Sequence, residues 1–297
     1  MKKIIPAIIL TILLMPAAML PSDASLISDS SYRAHIKKEQ KQNIKQIKDL
    51  FKIHNELANK HDIKGLLPLY SDNYVNNDGF NKDAYFKSIE STWQACGDLT
   101  YTTEILSIDI NGSHASVYVD ETAYGTLFEI IDAFQVAGEI HSKSKGIYHL
   151  ESINGRWYIS GETALADESS LVYGDARFMN IEIQAPSQVS AGDEYTASLK
   201  VEADENTFIM ASINSDPVIL PTKTPQNNLR ILPQSQVLER VIKANGNNLN
   251  EYVIASMAIS KVKPLDIENY RIYMAGLACV MKRVNVVPKN NFIELEE

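Results

Sequence analysis

From Ile44 onward, apolar residues recur at Ile47, Leu50, Phe51, Leu57 and Ala58 with lysines on the other side, the period of an amphipathic helix. His54 falls on the apolar stripe and interrupts it. Past His61-Asp62 the pattern restarts as a short helix, which Pro68, Asn73, Asn76, Asn77 and Gly79 break up. A further helix is predicted after Asn81 as N-cap, burying Phe86, Ile89, Trp93 and Cys96 and ended by Gly97. Between residues 100 and 165 the period becomes two. Leu106, Ile108 and Ile110 lead into Asn111-Gly112 and Ala115, Val117 and Val119 lead out; Tyr148 and Leu150 lead into Asn154-Gly155 and Trp157 and Ile159 lead out. Each Asn-Gly pair signals a hairpin, because the favoured tight turn needs positive φ. The intervening "TLFEIIDAFQVAGEIHSKSKG" fits strand, loop or short helix.

Helices followed by a run of strands predict an α+β arrangement in which the helices cover one face of a sheet. The stretch from Phe51 to Asp78, with its core "DIKGLLPLYSDNY", and the closing "NGRWYISGE" resemble the nuclear-transport-factor-2-like (NTF2-like) superfamily, which includes ketosteroid isomerase, polyketide-cyclase-like proteins and many binding domains. The resemblance covers about residues 40–170 and implies a cone-shaped antiparallel sheet with a pocket under the helices, and often a homodimer. Beyond it the chain turns to short apolar runs, at Tyr195 to Val201, Thr207 to Ile213, Glu251 to Ile259 and Tyr270 to Val280, separated by Pro, Asn and Gly. Many short strands without a clear helix suggest a sandwich. The opening "PSQVSAGDEY" resembles a bacterial immunoglobulin-like domain, here 178–288, followed by a tail at 289–297.

The chain begins with Lys2 and Lys3 ahead of an apolar run that ends in small residues, the layout of a signal peptide over residues 1–24. Pro6 and Pro16 leave the run short of the roughly 20 apolar residues of a spanning helix. Export, periplasmic or secreted, is therefore expected, with membrane attachment only if that segment stays uncleaved. The net charge of −9 becomes −10 when two lysines and Asp23 leave with the leader. An acidic chain repels phosphate backbones, which argues against nucleic acid as a partner. Cys96 and Cys279 are too few for a disulfide framework, and export leaves a single bridge or two buried thiols both open.

In the isomerase pattern, the stretch matching "LYSDNYVNND" ends in the proton-abstracting aspartate, and Asp78 falls at that place. A carboxylate in an apolar cavity can serve as a base near neutrality, while Asp78-Gly79 is equally a common turn pair. His54 stands where the family carries a donor tyrosine, and the second donor has no counterpart, since only Tyr148 and His149 lie in that region. His54 is either a hydrogen-bonded core residue or a ligand contact. Asp72, Tyr74, Trp93 and Tyr124 are candidates to share its pocket, with core packing as the alternative for the aromatics. No metal or cofactor motif is present in the sequence. Three functional readings follow. The first is non-enzymatic binding of a small apolar ligand or a protein partner, the second an isomerase or cyclase using Asp78 with His54, and the third an envelope scaffold.

Overall fold

The computed structural model describes residues 23–127, 137–204, 207–219, 228–264 and 269–289, with side chains from residue 37. The expected leader lies outside them except for its last two residues, as does the tail from residue 290. Two compact units are distinguished, 1–45 and 46–297. In the first, the described residues belong to helix α1 (Asp23–Asn59). Among the described residues no helix is long and apolar enough to cross a membrane.

In the second unit, α1 from Gln46 on buries Ile47, Leu50, Phe51 and Ala58, the stripe the periodicity predicts. Helix α2 (Ile63–Leu66) starts where the Asp62 carboxylate accepts from Gly65 N at 2.9 Å. A 3₁₀ turn at Leu67–Leu69 leads into strand β1 (Tyr70–Asn76). Helix α3 (Lys82–Ala95) is capped by Asn81, whose side chain accepts from Ala84 N, and buries Phe86 and Trp93. Four long strands follow: β2 (Thr100–Asn111), β3 (His114–Leu127), β4 (Gly138–Ile153) and β5 (Arg156–Gly174). Both hairpin turns form. Asn154 and Gly155 carry φ of 53° and 78°, whereas the first turn has Gly112-Ser113 at its centre, with only Gly112 at positive φ.

The remaining strands are β6 (Ile181–Gln184), β7 (Gln188–Ser190), β8 (Glu194–Val201), β9 (Thr207–Pro217), β10 (Arg230–Ile231), β11 (Val237–Lys243), β12 (Glu251–Pro264) and β13 (Tyr270–Val287). The expected class, an α+β cone followed by an immunoglobulin-like sandwich, does not hold. Strands make up more than half of the described residues, and one sheet runs β10-β9-β12-β13-β5-β4-β3-β2, with β1 parallel to β5 and β7 parallel to β13. The cause is the length of β5 and β13, 19 and 18 residues, against a usual five or six. The last part of β5, Glu168–Gly174, pairs with Lys282–Gly276 of β13. A second sheet, β11-β8-β6, shares a core with β9, β12 and β13 through residues such as Ala197, Leu199, Ile213, Val253 and Ile259.

Strand β1 approaches β5 at Gly161, where a Cβ would lie 2.9 Å from the Val75 carbonyl oxygen. Gly161→Ala is expected to cost about 1–3 kcal/mol, the range for overpacking against a part that cannot yield. Urea denaturation measures it, and an unchanged midpoint would show that β1 is free to move away.

Candidate functional site

The helices cover the face of β2–β5 that carries Val117, Val119, Tyr148, Leu150, Trp157 and Ile159, all buried. Alternation along β3 continues this face from Val117 and Val119 to Glu121 and Ala123. On β5 alternation from Trp157 and Ile159 points to Gly161 next, but the strand bulges there. Leu150 pairs with Ile159 and His149 with Gly161, so Ser160 is the extra residue and Tyr148 pairs with Glu162. Directly opposed residues share a face, so Glu162 is brought in among the apolar side chains beside Tyr148.

A cluster of acids and aromatics results. The Tyr74 hydroxyl donates to Glu162 Oε2 at 3.3 Å, and the Tyr85 hydroxyl donates to the same carboxylate. Glu121 accepts from Thr103 Oγ1 at 2.9 Å and from the Tyr148 hydroxyl at 3.2 Å. His54 Nε2 is 2.8 Å from the Tyr70 hydroxyl. The rings pack edge to face: Tyr70 on Tyr74 at 5.1 Å between centroids, Tyr70 on Phe86 at 4.8 Å and Phe51 on Tyr148 at 5.2 Å. Protein surrounds His54, Tyr85, Glu121 and Glu162, yet each keeps some accessible surface. These four groups stand at the margin of the core, which Tyr70, Tyr74 and Tyr148 beside them help to fill.

Burial, and then the nearby charge of Glu121, push the Glu162 carboxyl up to about 7. Burial also raises Glu121. Tyr70, Tyr74, Tyr85 and Tyr148 are all raised, chiefly by burial, so they stay protonated and act as donors. Burial lowers His54 to about 4 and leaves it neutral at pH 7. Its C–H proton shifts are therefore expected to stay flat by NMR from pH 8 down to about 5, and an inflection near 6.5, the ordinary histidine value, would place the ring in solvent.

Of the residues singled out in the sequence, His54 and Tyr74 belong to this cluster. Trp93 is its neighbour, stacked on His61 at 4.6 Å and donating from Nε1 to the Tyr101 hydroxyl at 2.9 Å. Asp72 instead points outward and pairs with Lys82 at 3.2 Å. Tyr124 is 48 % exposed beside His141. Asp78 sits in the turn after β1, where Arg283 Nη2 reaches Oδ1 at 2.6 Å, Nη1 reaches Oδ2 at 3.0 Å and Asn250 Nδ2 donates at 2.8 Å. Asp78 and His54 are thus engaged with different partners. Glu121, Glu162, Tyr70, Tyr85 and Tyr148 were not among the expected site residues. Continuing the Val117-Val119 alternation finds Glu121, whereas the bulge at Ser160 conceals Glu162. Cys96 and Cys279 are both free. Among the described residues no group of three or more His, Cys, Asp or Glu could hold a metal.

No protein-family model and no curated protein sequence matches this chain. Solved structures similar to part of it include a putative scytalone dehydratase from Novosphingobium aromaticivorans, with 13 % identity over 43 % of this chain and 86 % of that one and a TM-score of 0.37. A hexachlorocyclohexane dehydrochlorinase from Novosphingobium barchaimii shows 14 % identity over 43 % and 88 %, TM-score 0.37. An NTF2-like protein from Cytophaga hutchinsonii shows 15 % identity over 40 % and 93 %, TM-score 0.31. Each likeness spans less than half of this chain, and the immunoglobulin-like reading of the later strands has no counterpart among these three. At such identities and scores no activity is carried over.

Proposed function

We propose that this chain binds a small, largely apolar molecule in a recess at His54, Tyr85, Glu121 and Glu162, backed by Tyr70, Tyr74 and Tyr148. The observation that carries the reading is the convergence of these polar groups, the first four of which keep some accessible surface while the three tyrosines behind them are buried. Buried carboxylates are costly, and a face needed only for packing is served as well by apolar side chains. Aromatic walls with a few fixed polar groups are the usual lining of a ligand site. The probe is 2-(2-naphthyl)ethanol, followed by its own fluorescence. Saturable binding is expected, weakened at least tenfold by Thr103→Phe, which fills the recess beside Glu121. Binding that is absent, or unchanged in a Thr103→Phe variant with native circular dichroism, would overturn the reading.

One observation favours a second reading, proton transfer. A carboxyl held at about 7 can both take and return a proton at neutral pH. In an isomerase-type reaction that group is Glu162, since Asp78 is engaged by Arg283. Deuterium exchange at C1 of 2-tetralone is then expected to be accelerated by the wild-type protein and lost in Glu162→Gln; equal exchange by the two proteins removes this reading.

A further inference from the structure

We infer that the polar end of the molecule held in this recess is a cation, a protonated amine or quaternary ammonium, received by Glu121 and Glu162 beside the Tyr85 ring. The inference rests on the binding reading above and specifies its ligand. Its first support is the balance of donors and acceptors. The hydroxyl hydrogens of Tyr74 and Tyr148, and that of Thr103, already point at the two carboxylates. A ligand oxygen that needs donors finds those hydrogens committed. A ligand that brings donors finds carboxylate and hydroxyl lone pairs, since each ionised carboxylate offers about four acceptor positions.

The second support is charge. Among the described residues no Lys, Arg or His forms an ion pair with Glu121 or Glu162. The charged groups acting most strongly on Glu162 are Glu121 and Asp78, both acids. Asp78 has its own cation in Arg283, and the Lys82 ammonium is spent on the Tyr70 carbonyl oxygen and Asp72. Two acids gathered without a cation retain a proton, and an ammonium group can replace that proton. The third support is Tyr85, which keeps some accessible surface, donates to Glu162 and packs on the buried rings of Tyr70, Tyr74 and Phe86 at 5.1–5.9 Å; a ring beside the carboxylate attracts a cation.

The binding is linked to pH. The titratable groups facing Glu162 are Glu121 on β3, Tyr148 on β4, Tyr70 and Tyr74 on β1, Tyr85 on α3 and Asp78 in the following turn, with His54 of α1 next to Tyr70. Glu162, held at about 7, gains its charge as the pH rises through neutrality, so cation affinity is expected to rise with it.

The test compares 2-(2-naphthyl)ethylamine, 2-(2-naphthyl)ethanol and 2-naphthylacetate at pH 7.5 by isothermal titration calorimetry on the full chain. The amine is expected to bind at least tenfold more tightly than the alcohol, and the acetate more weakly than either. In a Glu121→Gln/Glu162→Gln variant the amine preference is expected to fall below twofold. Alcohol binding as tight as amine binding, and sensitive to Thr103→Phe, would overturn the cation assignment and leave the recess as a neutral-ligand site. An amine preference that survives in the double variant would also overturn it, placing the cation elsewhere. Binding of none of the three would remove the binding reading along with it.

Discussion

Glutamine in place of Glu162 is expected to raise the stability of the protein at pH 8.5 by about 3 kcal/mol and to change it little at about pH 4. The unfolded chain titrates this carboxyl at its ordinary value, whereas burial and the neighbouring Glu121 hold it at about 7 in the fold. Between those values the folded state binds more protons than the unfolded one, so stability falls as pH rises through the interval. Below it both states carry the neutral acid, and glutamine is nearly the same shape and charge. Above it the wild type bears an enclosed carboxylate that glutamine lacks. Urea denaturation of both proteins at the two pH values measures the difference. An equal gain at both would trace the effect to packing and would place the wild-type carboxylate in water.

The second large effect falls on Arg283. Its side chain is 1 % exposed and that of Asp78 8 %. Arg283→Met is expected to cost about 3–5 kcal/mol, because it leaves the Asp78 carboxylate buried with Asn250 as its remaining side-chain partner. Asp78→Asn alone is expected to cost a similar amount by stranding the guanidinium. Combining the two removes both charges, and much of the loss should return, giving a coupling energy of about 2 kcal/mol or more in a double-mutant cycle. Simple additivity would mean that the two groups do not depend on each other. The pair also reaches the recess. Asn77, next to Asp78, donates its backbone N–H to the Glu162 carbonyl at 2.8 Å and accepts from Ala164 N through its side chain. The uncompensated Asp78 charge in Arg283→Met should therefore raise the Glu162 carboxyl further, a displacement readable by carbon-13 NMR.

Much of the helical half is legible in the residues. The stripe from Ile47 to Ala58, the Asn81 cap and both hairpins, the first turning on Gly112-Ser113 and not on Asn111-Gly112, are local patterns, and local patterns survive tertiary packing. The continuity of the sheet is not legible. "ETALADESS" reads as a connector, because Ala, Asp, Glu and Ser disfavour strands, yet it forms β5, hydrogen-bonded to β4 over its whole length and to β13 over its last part. Pairing across more than 100 residues leaves no signature in either segment alone. The site divides in the same way. His54 stands out as a polar break in a helix stripe, and Glu121 as an acid on an apolar strand face. Glu162 depends on one extra residue, Ser160, which reverses the phase of the strand as far as a second extra residue, Leu165.

The place of β13 bears on the order in which the molecule can be made. This strand closes the sheet between β12 and β5 and supplies Arg283, which reaches back 205 residues to Asp78. A ribosome delivers it after all the other described strands. Until it arrives the edge of β5 from Glu168 to Gly174 lacks that partner, and an open edge is a template for pairing with another chain. The helical half can gather locally and early, but the far end of β5 must wait for β13, and pairing at that sequence separation makes folding slow. Anything that delays β13 therefore prolongs the exposure of that edge.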